Sequence, residues 1–309
     1  MEQAAGERLR HRLGSMRRSE ITVGKVVAWV VLVVFIFIAV FPVWWVVRTA
    51  LSNSRAVYTH YRDLLPVQFT IGNFARVLGL ISQNQAIAEG GSGQTFNFLL
   101  ALRNSLIVSA LVVIGQVFFS SMAAYAFARL RFPFREQIFF IYVMGLLIPS
   151  IVTLIPNFVL IHNLGMLNTF AGIVAPDFLT SSFAVFFLRQ FMLSVPRELE
   201  EVAVLDGASR VRIYFRIVLP QVKGALVTLG IVVFFYAWNN YLWPYLVGRT
   251  SATRVMTAAL EVFQTQTPQG APDWTGLMAG TALAIIPSVI ILVFGGRQVV
   301  ESLQFSGIK

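Results

Sequence analysis

The stretch EEVAVLDGASRVRIYFRIVLP, from Glu200 to Pro220, is a charged passage in a chain made mostly of long Leu, Val, Ile and Phe runs. Asp206 and Gly207 in its middle predict a break between two short helices, because glycine adopts backbone conformations that are costly for other residues. Ser209 follows as a cap for the second helix. The stretch therefore predicts two short helices joined by a turn, placed between two apolar segments.

The first helix is predicted to begin near Pro196, with Ser194 as its cap. Its glutamates lie near the positive end of the helix dipole, which favours acidic side chains. These glutamates are Glu198, Glu200 and Glu201. Its apolar contact positions are Leu199, Val202, Ala203 and Val204.

The second helix is predicted to be amphipathic and to close at Pro220. Its apolar face consists of Val211, Phe215 and Val218, and its basic face of Arg212 and Arg216. An amphipathic loop of this kind either lies in the lipid headgroup region or docks into a groove on a cytoplasmic partner. The residues alone leave both interpretations open.

The composition indicates an integral membrane protein. Of the 309 residues, 57% are hydrophobic and 12% charged, and the mean hydropathy is +0.73, whereas soluble chains are about 25% charged. The net charge of +10 has a simpler explanation than nucleic-acid binding, because basic residues collect in cytoplasmic loops.

Cysteine and histidine give no sign of redox or metal chemistry. The chain has no cysteine, which excludes disulfides and thiolate sites. His11, His60 and His162 are far apart and have no histidine partner at helical spacing, so they are expected to be solvated loop residues.

Six apolar segments are long enough to span a bilayer. They are Val26–Val47, Asn104–Ala128, Gln137–Ile161, Thr169–Phe191, Ala225–Val247 and Leu277–Val299. The first is too long for a signal-peptide core and no small-residue cleavage site follows it, so it is expected to stay as a helix. Pro149, Pro156, Pro176 and Pro287 are expected to mark kinks.

The distribution of Lys and Arg predicts that both termini are cytoplasmic. Seven of the 24 basic residues fall on the opposite side, and the others lie in the tail 1–25, the second-to-third and fourth-to-fifth connections and the C-terminal end. Those seven are Arg48, Arg55, Arg62, Arg76, Arg103, Arg249 and Arg254. The segments 51–103 and 194–222 are then an extracytoplasmic and a cytoplasmic loop.

The extracytoplasmic loop contains EGGSGQT, from Glu89 to Thr95. A phosphate-binding loop needs a lysine after its glycines to reach the phosphates, and none follows here. We therefore expect a flexible loop and no nucleotide site.

Several blocks resemble ABC importer permeases. Glu201-x-Ala203-x-x-Asp206-Gly207, followed by Ile217-x-Leu219-Pro220, is similar to the EAA motif of that family, with matching spacing from Gly207 to Ile217. Further blocks look like its carbohydrate-uptake branch. They are NSLIVS (104–109), AAYAFAR (123–129), LGMLNT (164–169), FLRQF (187–191), WNNYLWP (238–244) and FSGIK (305–309).

The resemblance covers roughly residues 26–309, and it looks closest to maltose-type, MalG-like subunits. Three positions depart from the family pattern. Val202 stands where alanine is usual, Phe134 where glycine is frequent, and Gly224 where proline is frequent. The glycine of the motif, Gly207, is kept.

The resemblance implies an all-α integral membrane protein with six transmembrane helices and cytoplasmic termini, the type I ABC importer permease fold. The tail 1–25 would precede a permease domain, 26–309, in a bacterial or archaeal cytoplasmic membrane. This chain would be non-catalytic and hold no metal or cofactor. ATP and Mg would be bound by a dimer of ATPase subunits.

The other implied partners are a second, MalF-like permease subunit that completes a heterodimer and an extracytoplasmic solute-binding protein. The implied ATPase-coupling residues are Glu201, Ala203, Asp206, Gly207, Ile217, Leu219 and Pro220. The tail residues Gly307, Ile308 and Lys309 are similar to a segment that reaches the ATPase in maltose-type systems. The solute would be a sugar or oligosaccharide, or alternatively a polyol or glycerol phosphate.

Polar and aromatic residues inside the spans are candidates for the solute path. They are Asn157, Asp177, Trp238, Asn239 and Asn240, with Trp243 a further aromatic. Each could instead bridge helices or lie at the membrane interface. Asp177 is notable because a carboxylate within a span is costly unless it is paired or hydrated.

Two other classes of function are disfavoured. An ion-coupled secondary transporter would carry several ionisable residues within its spans, and this chain offers little beyond Asp177. A membrane-embedded enzyme would need paired carboxylates, a histidine cluster or a nucleophile–base pair, and none is evident in the spans.

Overall fold

The computed structural model describes residues 23–264 and 271–305, and side chains as far as residue 299. The first half of the described chain contains α1 (Val23–Ala50), α2 (Ala56–Thr59), α3 (Gly72–Val77), α4 (Gln83–Ala88), α5 (Phe98–Arg129), α6 (Arg135–Met144) and α7 (Ser150–Asn163). The second half contains α8 (Phe170–Phe178), α9 (Ser182–Ser194), α10 (Glu198–Leu205), α11 (Arg210–Ile213), α12 (Leu219–Gln221), α13 (Lys223–Asn239), α14 (Leu242–Val247), α15 (Met256–Ala259) and α16 (Trp274–Phe305).

Helix α5 forms the centre of the fold. It packs against α8, α9 and α13, and the side chains at these contacts, such as Val108, Leu188 and Leu229, are buried. Helix α16 packs against α1, α13 and α3. A second buried cluster lies there and includes Ala50, Phe98 and Phe263.

Three helices, α1, α5 and α16, are long and apolar enough to cross a membrane, and the number rises to six if each of three bent helix pairs is one span. The prediction of an all-helical membrane protein is thus confirmed. The bent pairs are 135–147 with 150–163, 170–178 with 182–194, and 210–221 with 223–239.

The third predicted span is not one straight helix, because it turns by 97° at Pro149. Ile148 is extended there, with φ −82° and ψ 113°, as expected for a residue whose helical conformation clashes with a following proline ring. Pro176 lies three residues before the 46° bend of the fourth span. Pro156 and Pro287 lie inside helices that continue past them.

The fifth predicted span, Ala225–Val247, is longer than the helix that forms there. Helix α13 ends at Asn239, and α14 begins only at Leu242. Pro244 explains the break, because a proline ring clashes with the carbonyl four residues earlier, here that of Asn240. That carbonyl instead accepts a hydrogen bond of 2.8 Å from the Thr257 hydroxyl.

The segment EGGSGQT contains no regular helix or strand beyond Glu89, as expected of a loop, but its glycines pack against buried side chains. Gly90, Gly91 and Gly93 are buried, and a Cβ on Gly91 would lie 1.5 Å from Nη1 of Arg76. Arg76 itself is buried and forms a 2.9 Å ion pair with Asp273, whose other oxygen accepts a hydrogen bond from the Ser92 amide. The glycines therefore let the backbone close around a buried charge pair.

Phe134, one of the departures from the family pattern, has left-handed backbone angles, φ 58° and ψ 22°. Its side chain is 73% exposed and therefore gains little from packing. The glycine that is frequent at this position in the family suits this conformation, because left-handed angles are strained for residues with a Cβ.

We therefore expect Phe134→Gly to stabilise the protein by about 1 kcal/mol, since relief of the strain exceeds the added entropy of the unfolded chain. The measurement is the thermal unfolding of the detergent-solubilised chain. Phe140→Gly is the matched control: Phe140 is 65% exposed but lies in regular helix, so its replacement should destabilise by about 1 kcal/mol. Equal effects of both changes would contradict the strain argument.

Candidate functional site

The charged loop between the fourth and fifth spans folds as two short helices around a glycine turn, as predicted. Helix α10 ends at Leu205, Asp206 is its C-cap, and Gly207 follows with φ 77°. The Gly207 amide donates to the Val204 carbonyl at 3.0 Å, and the Ala208 amide donates to the Ala203 carbonyl at 2.9 Å. This is the Schellman pattern, which satisfies the last helix carbonyls and requires a left-handed residue.

The two predicted caps have different outcomes. The Ser209 hydroxyl accepts a hydrogen bond of 3.3 Å from the Arg212 amide, so this cap is confirmed. The Ser194 cap was wrong, because its hydroxyl donates to the Phe191 carbonyl of the preceding helix. Helix α10 begins after Arg197 without a side-chain cap.

A buried ion pair holds α10 against the end of α5. Nε of Arg129 lies 2.9 Å from Oε1 of Glu200, and both side chains are almost fully buried. The same guanidinium donates to the backbone carbonyls of Met192 and Val195 at the end of α9. Arg129 thus ties three elements together at one point.

A second contact holds the other half of the loop. The hydroxyls of Tyr214 and Ser121 are 2.7 Å apart, and the Tyr214 ring packs on Tyr125 with centroids 5.2 Å apart. Ile213 and Val218 are fully buried beside it. Residues Tyr214–Val218 form one π-helical turn that continues into α12, so the segment runs one residue past Pro220 before it ends.

The predicted apolar face of the second helix was only partly right. Val218 is buried, but Val211 and Phe215 are exposed. Leu199, Val202, Val204 and Leu205 of the first helix are exposed too, and we call these six exposed apolar side chains of the loop the loop face. Leu205 is 87% exposed, so its side chain contributes little to packing within this chain.

The residues expected to form the ATPase joint lie in α10, at the Gly207 turn and at the end of the second helical segment. Glu201, Asp206, Gly207 and Pro220 are exposed, Ile217 and Leu219 are half-buried, and Ala203 is buried. The tail residues Gly307, Ile308 and Lys309 lie outside the described residues. The sequence did not identify Arg129 as a residue of this site, although its partner Glu200 directly precedes the motif.

The candidate solute-path residues are not all in one place. Trp238 is buried, stacks on Phe234 and donates from Nε1 to the Ala284 carbonyl at 3.2 Å, which fits the helix-bridging interpretation. Nε1 of Trp243 likewise donates a hydrogen bond to the Ile173 carbonyl, which fits the same interpretation. Asp177 lies beside Tyr236.

An open cavity of about 320 Å³ lies between α13 and α16 and is lined by Trp238 and Asn239. Residues not anticipated from the sequence line it too, notably Tyr241, Glu261 and Gln264. Tyr241 stacks on Tyr245 with ring centroids 5.4 Å apart. Asn240 contacts Thr257 next to this cavity, whereas Asn157 is half-buried on α7. Among the described residues no group of three His, Cys, Asp or Glu could hold a metal ion.

A bundle of apolar, partly bent spans with a polar loop held between two of them is the architecture of a multi-span membrane protein. Residues 116–302 match the family model described as the inner membrane component of binding-protein-dependent transport systems, and the chain belongs to this family. It is the non-catalytic, multi-pass permease component of an ABC transporter in the inner membrane.

Among its relatives is the sn-glycerol-3-phosphate transport system permease protein UgpE of Salmonella typhi. The two are 32% identical over 272 residues, which are 88% of this chain and 93% of the relative. The fold is similar to a crystal structure of a bacterial ABC transporter involved in the import of the acidic polysaccharide alginate. That match has a TM-score of 0.74 at 21% identity and covers 91% of this chain and 98% of the other.

A second structure, of the bacterial alginate ABC transporter in complex with an alginate pentasaccharide-bound periplasmic protein, matches with a TM-score of 0.57. Its identity is 14%, and the match covers 90% of this chain and 95% of the other. Both structures support the fold.

The Arg129–Glu200 pair generates a prediction about stability. Arg129→Met should destabilise the chain by about 3 kcal/mol or more, because it leaves the Glu200 carboxylate buried without its partner. The double variant Arg129→Met/Glu200→Leu should be more stable than Arg129→Met alone, since no buried charge remains. Thermal unfolding in detergent measures both.

Arg212→Met is the control for loss of an arginine from this region, because Arg212 is exposed and its replacement should have little effect. A double variant no more stable than Arg129→Met would show that the carboxylate is not what makes the single change costly.

Proposed function

We propose that this chain is one of two permease subunits of an ABC importer and that its loop face docks on an ATPase subunit. The observation that carries the proposal is the contrast between the two sides of the loop. One side is fixed by buried contacts to α5, and the other presents six exposed apolar side chains. A short helix pair with an exposed apolar face is suited to a groove on a partner.

The residues divide into two roles under this proposal. Glu201, Asp206 and Gly207 lie on the exposed side, where they would contact the ATPase, and Ala203 packs α10 inward. Ile217, Leu219 and Pro220 shape the exit toward α13. We propose that the tail residues 307–309 contact the ATPase subunit as well.

The buried contacts join the loop to the spans, so that a movement of the loop is transmitted to them. When ATP, bound with Mg by the ATPase dimer, closes that dimer, the loop must move with it. Because Arg129 ties the loop to α5 and to the end of α9, these spans move with the loop as a body. A rigid-body movement of this kind suits alternating access, in which the cavity between subunits opens to one side at a time.

We infer that the solute is a sugar or oligosaccharide delivered by an extracytoplasmic binding protein, with a polyol or glycerol phosphate as the alternative. The carbohydrate-uptake blocks and the alginate importers of similar fold support the first, and UgpE supports the second. The cavity beside Asn239 combines aromatic and polar groups, which suits hydroxyl-rich solutes. We propose Asn157 and Asp177 as further residues of the solute path.

Docking through the loop face predicts a selective loss of ATPase binding in Leu205→Glu. The variant should unfold at the same temperature as the parent, because Leu205 is 87% exposed. It should lose co-purification with the ATPase subunit by about tenfold or more, since a charge is forced into an apolar contact. Pull-down of the ATPase from the co-expressed transporter measures this.

Leu80→Glu is the matched control, because Leu80 is also strongly exposed but lies in the predicted extracytoplasmic loop. Its variant should retain the ATPase. Normal ATPase recovery with Leu205→Glu would rule out docking at this point of the loop.

The solute proposal predicts which compound drives coupled hydrolysis. The chain is co-expressed with the products of its neighbouring genes, reconstituted in liposomes, and assayed for ATPase activity with the binding protein. Maltose, trehalose, a polyol and sn-glycerol-3-phosphate are compared. A sugar should stimulate hydrolysis and also raise the melting temperature of the binding protein.

Stimulation by sn-glycerol-3-phosphate alone would replace the sugar proposal with its alternative. Stimulation by none of these compounds and by no longer oligosaccharide, with an intact complex, would contradict both.

A further inference from the structure

A buried arginine at the end of α1 holds part of the first extracytoplasmic segment in place. Arg48, near the end of α1, is fully buried. Its Nε donates to the Leu65 carbonyl at 3.2 Å and its Nη2 to the His60 carbonyl at 2.8 Å, while its guanidinium lies 5.1 Å from the Trp45 ring centroid. The contacts tie residues 60–65 back onto the helix that precedes them.

A further hydrogen bond places this segment along the helix axis. Nε1 of Trp44 donates to the Leu64 carbonyl at 3.0 Å. Trp44 precedes the last residue of α1, Ala50, by six positions, which is about 9 Å along the axis. The chain therefore leaves α1, turns, and returns alongside it as far as Trp44, which lies in the apolar part of that helix.

The side chains at the returning point face outward. Leu64 is 61% and Leu65 70% exposed, and Tyr61 is exposed beside them. The neighbouring surface of α1, including Val40 and Val43, is exposed and apolar as well. The surface of Tyr61–Leu65, which we call the outer anchor, is thus continuous with the surface of a helix that spans the membrane.

The charges of the outer anchor fit a headgroup layer. Arg62 and Asp63 are exposed between Tyr61 and Leu64, and the Arg62 guanidinium lies 5.3 Å from the Tyr61 ring centroid. An arginine and a tyrosine next to a leucine pair resemble the aromatic and basic belts of membrane interfaces, where the apolar part enters the lipid and the polar part stays in water.

We propose that the outer anchor inserts Leu64 and Leu65 into the interfacial layer of the bilayer, in the outer leaflet by the predicted orientation. Its partner is phospholipid: acyl chains contact the two leucines, and headgroup phosphates and water contact Arg62. Arg48 is a positioning residue, because it holds the anchor at this depth through backbone carbonyls. The role is separate from transport coupling and rests on no assignment of the solute.

The chain has no cysteine, so single cysteines can be introduced without a background. Leu65→Cys, labelled with a bimane fluorophore, is assembled into the complete transporter and reconstituted in vesicles of phosphatidylethanolamine and phosphatidylglycerol. Phospholipids brominated near the top of their acyl chains should quench this probe about twofold or more relative to the same vesicles without bromine, as for an interfacial apolar group.

Two control sites calibrate the measurement. Phe37→Cys, exposed in the middle of α1, should be quenched by lipids brominated deeper in the chain. Asn84→Cys, exposed on α4, should be quenched by aqueous iodide and not by bromolipid.

A probe at position 65 that behaves like the one at 84 would overturn the proposal. If that water-exposed probe then becomes protected when the solute-binding protein is added, the surface is a protein-docking site instead. Retained bromolipid quenching in the presence of the binding protein would support the lipid assignment. An Arg48→Met chain carrying the same label should lose most of the quenching if Arg48 sets the depth.

Discussion

The ion pair between Arg129 and Glu200 fixes the geometry on which the proposed coupling depends. Both charges are removed from water, which costs free energy that the pair alone does not necessarily recover. The pair contributes mainly by fixing the position of the loop, because one guanidinium joins the end of α5, the last carbonyls of α9 and the first helix of the loop. The free side of the loop is then presented in a single orientation, and the Tyr214–Ser121 contact prevents its second half from turning independently.

The sequence predicted the positions of the spans because hydrophobic length is a local property. It did not predict their shapes. The third span bends at Pro149 and the fifth ends at Asn239, whereas Pro156 and Pro287 leave their helices uninterrupted. At the break of the fifth span, a neighbouring group satisfies the carbonyl that Pro244 leaves without a helical partner. Thr257 does so for Asn240, and no local pattern around Asn240 reveals this.

In the loop, too, the features set by local rules were predictable from the sequence, and those set by distant contacts were not. Glycine in the turn and serine at the cap follow from backbone rules that act within a few residues, and both were predictable. Arg129 was not, since its partner lies in another part of the chain, and in the sequence it counted only as one basic residue of a cytoplasmic connection. A weak signal existed: Glu200 and Ala203 are three residues apart, so they share the inward face of α10. An acid on the buried face of a helix requires a partner, and that requirement points to a nearby arginine.

The side chains of Arg48, Arg76 and Arg129 are all nearly fully buried, and each joins two separate elements of the chain through its guanidinium. Arginine suits this position because its planar group donates several hydrogen bonds in fixed directions, whereas lysine offers one mobile charge. Arg48 and Arg76 act at the predicted outer end and Arg129 at the opposite end. Under the proposed coupling, loops held at both ends pass a displacement of the loop face on to the spans, which is what an importer that switches access requires of its permease.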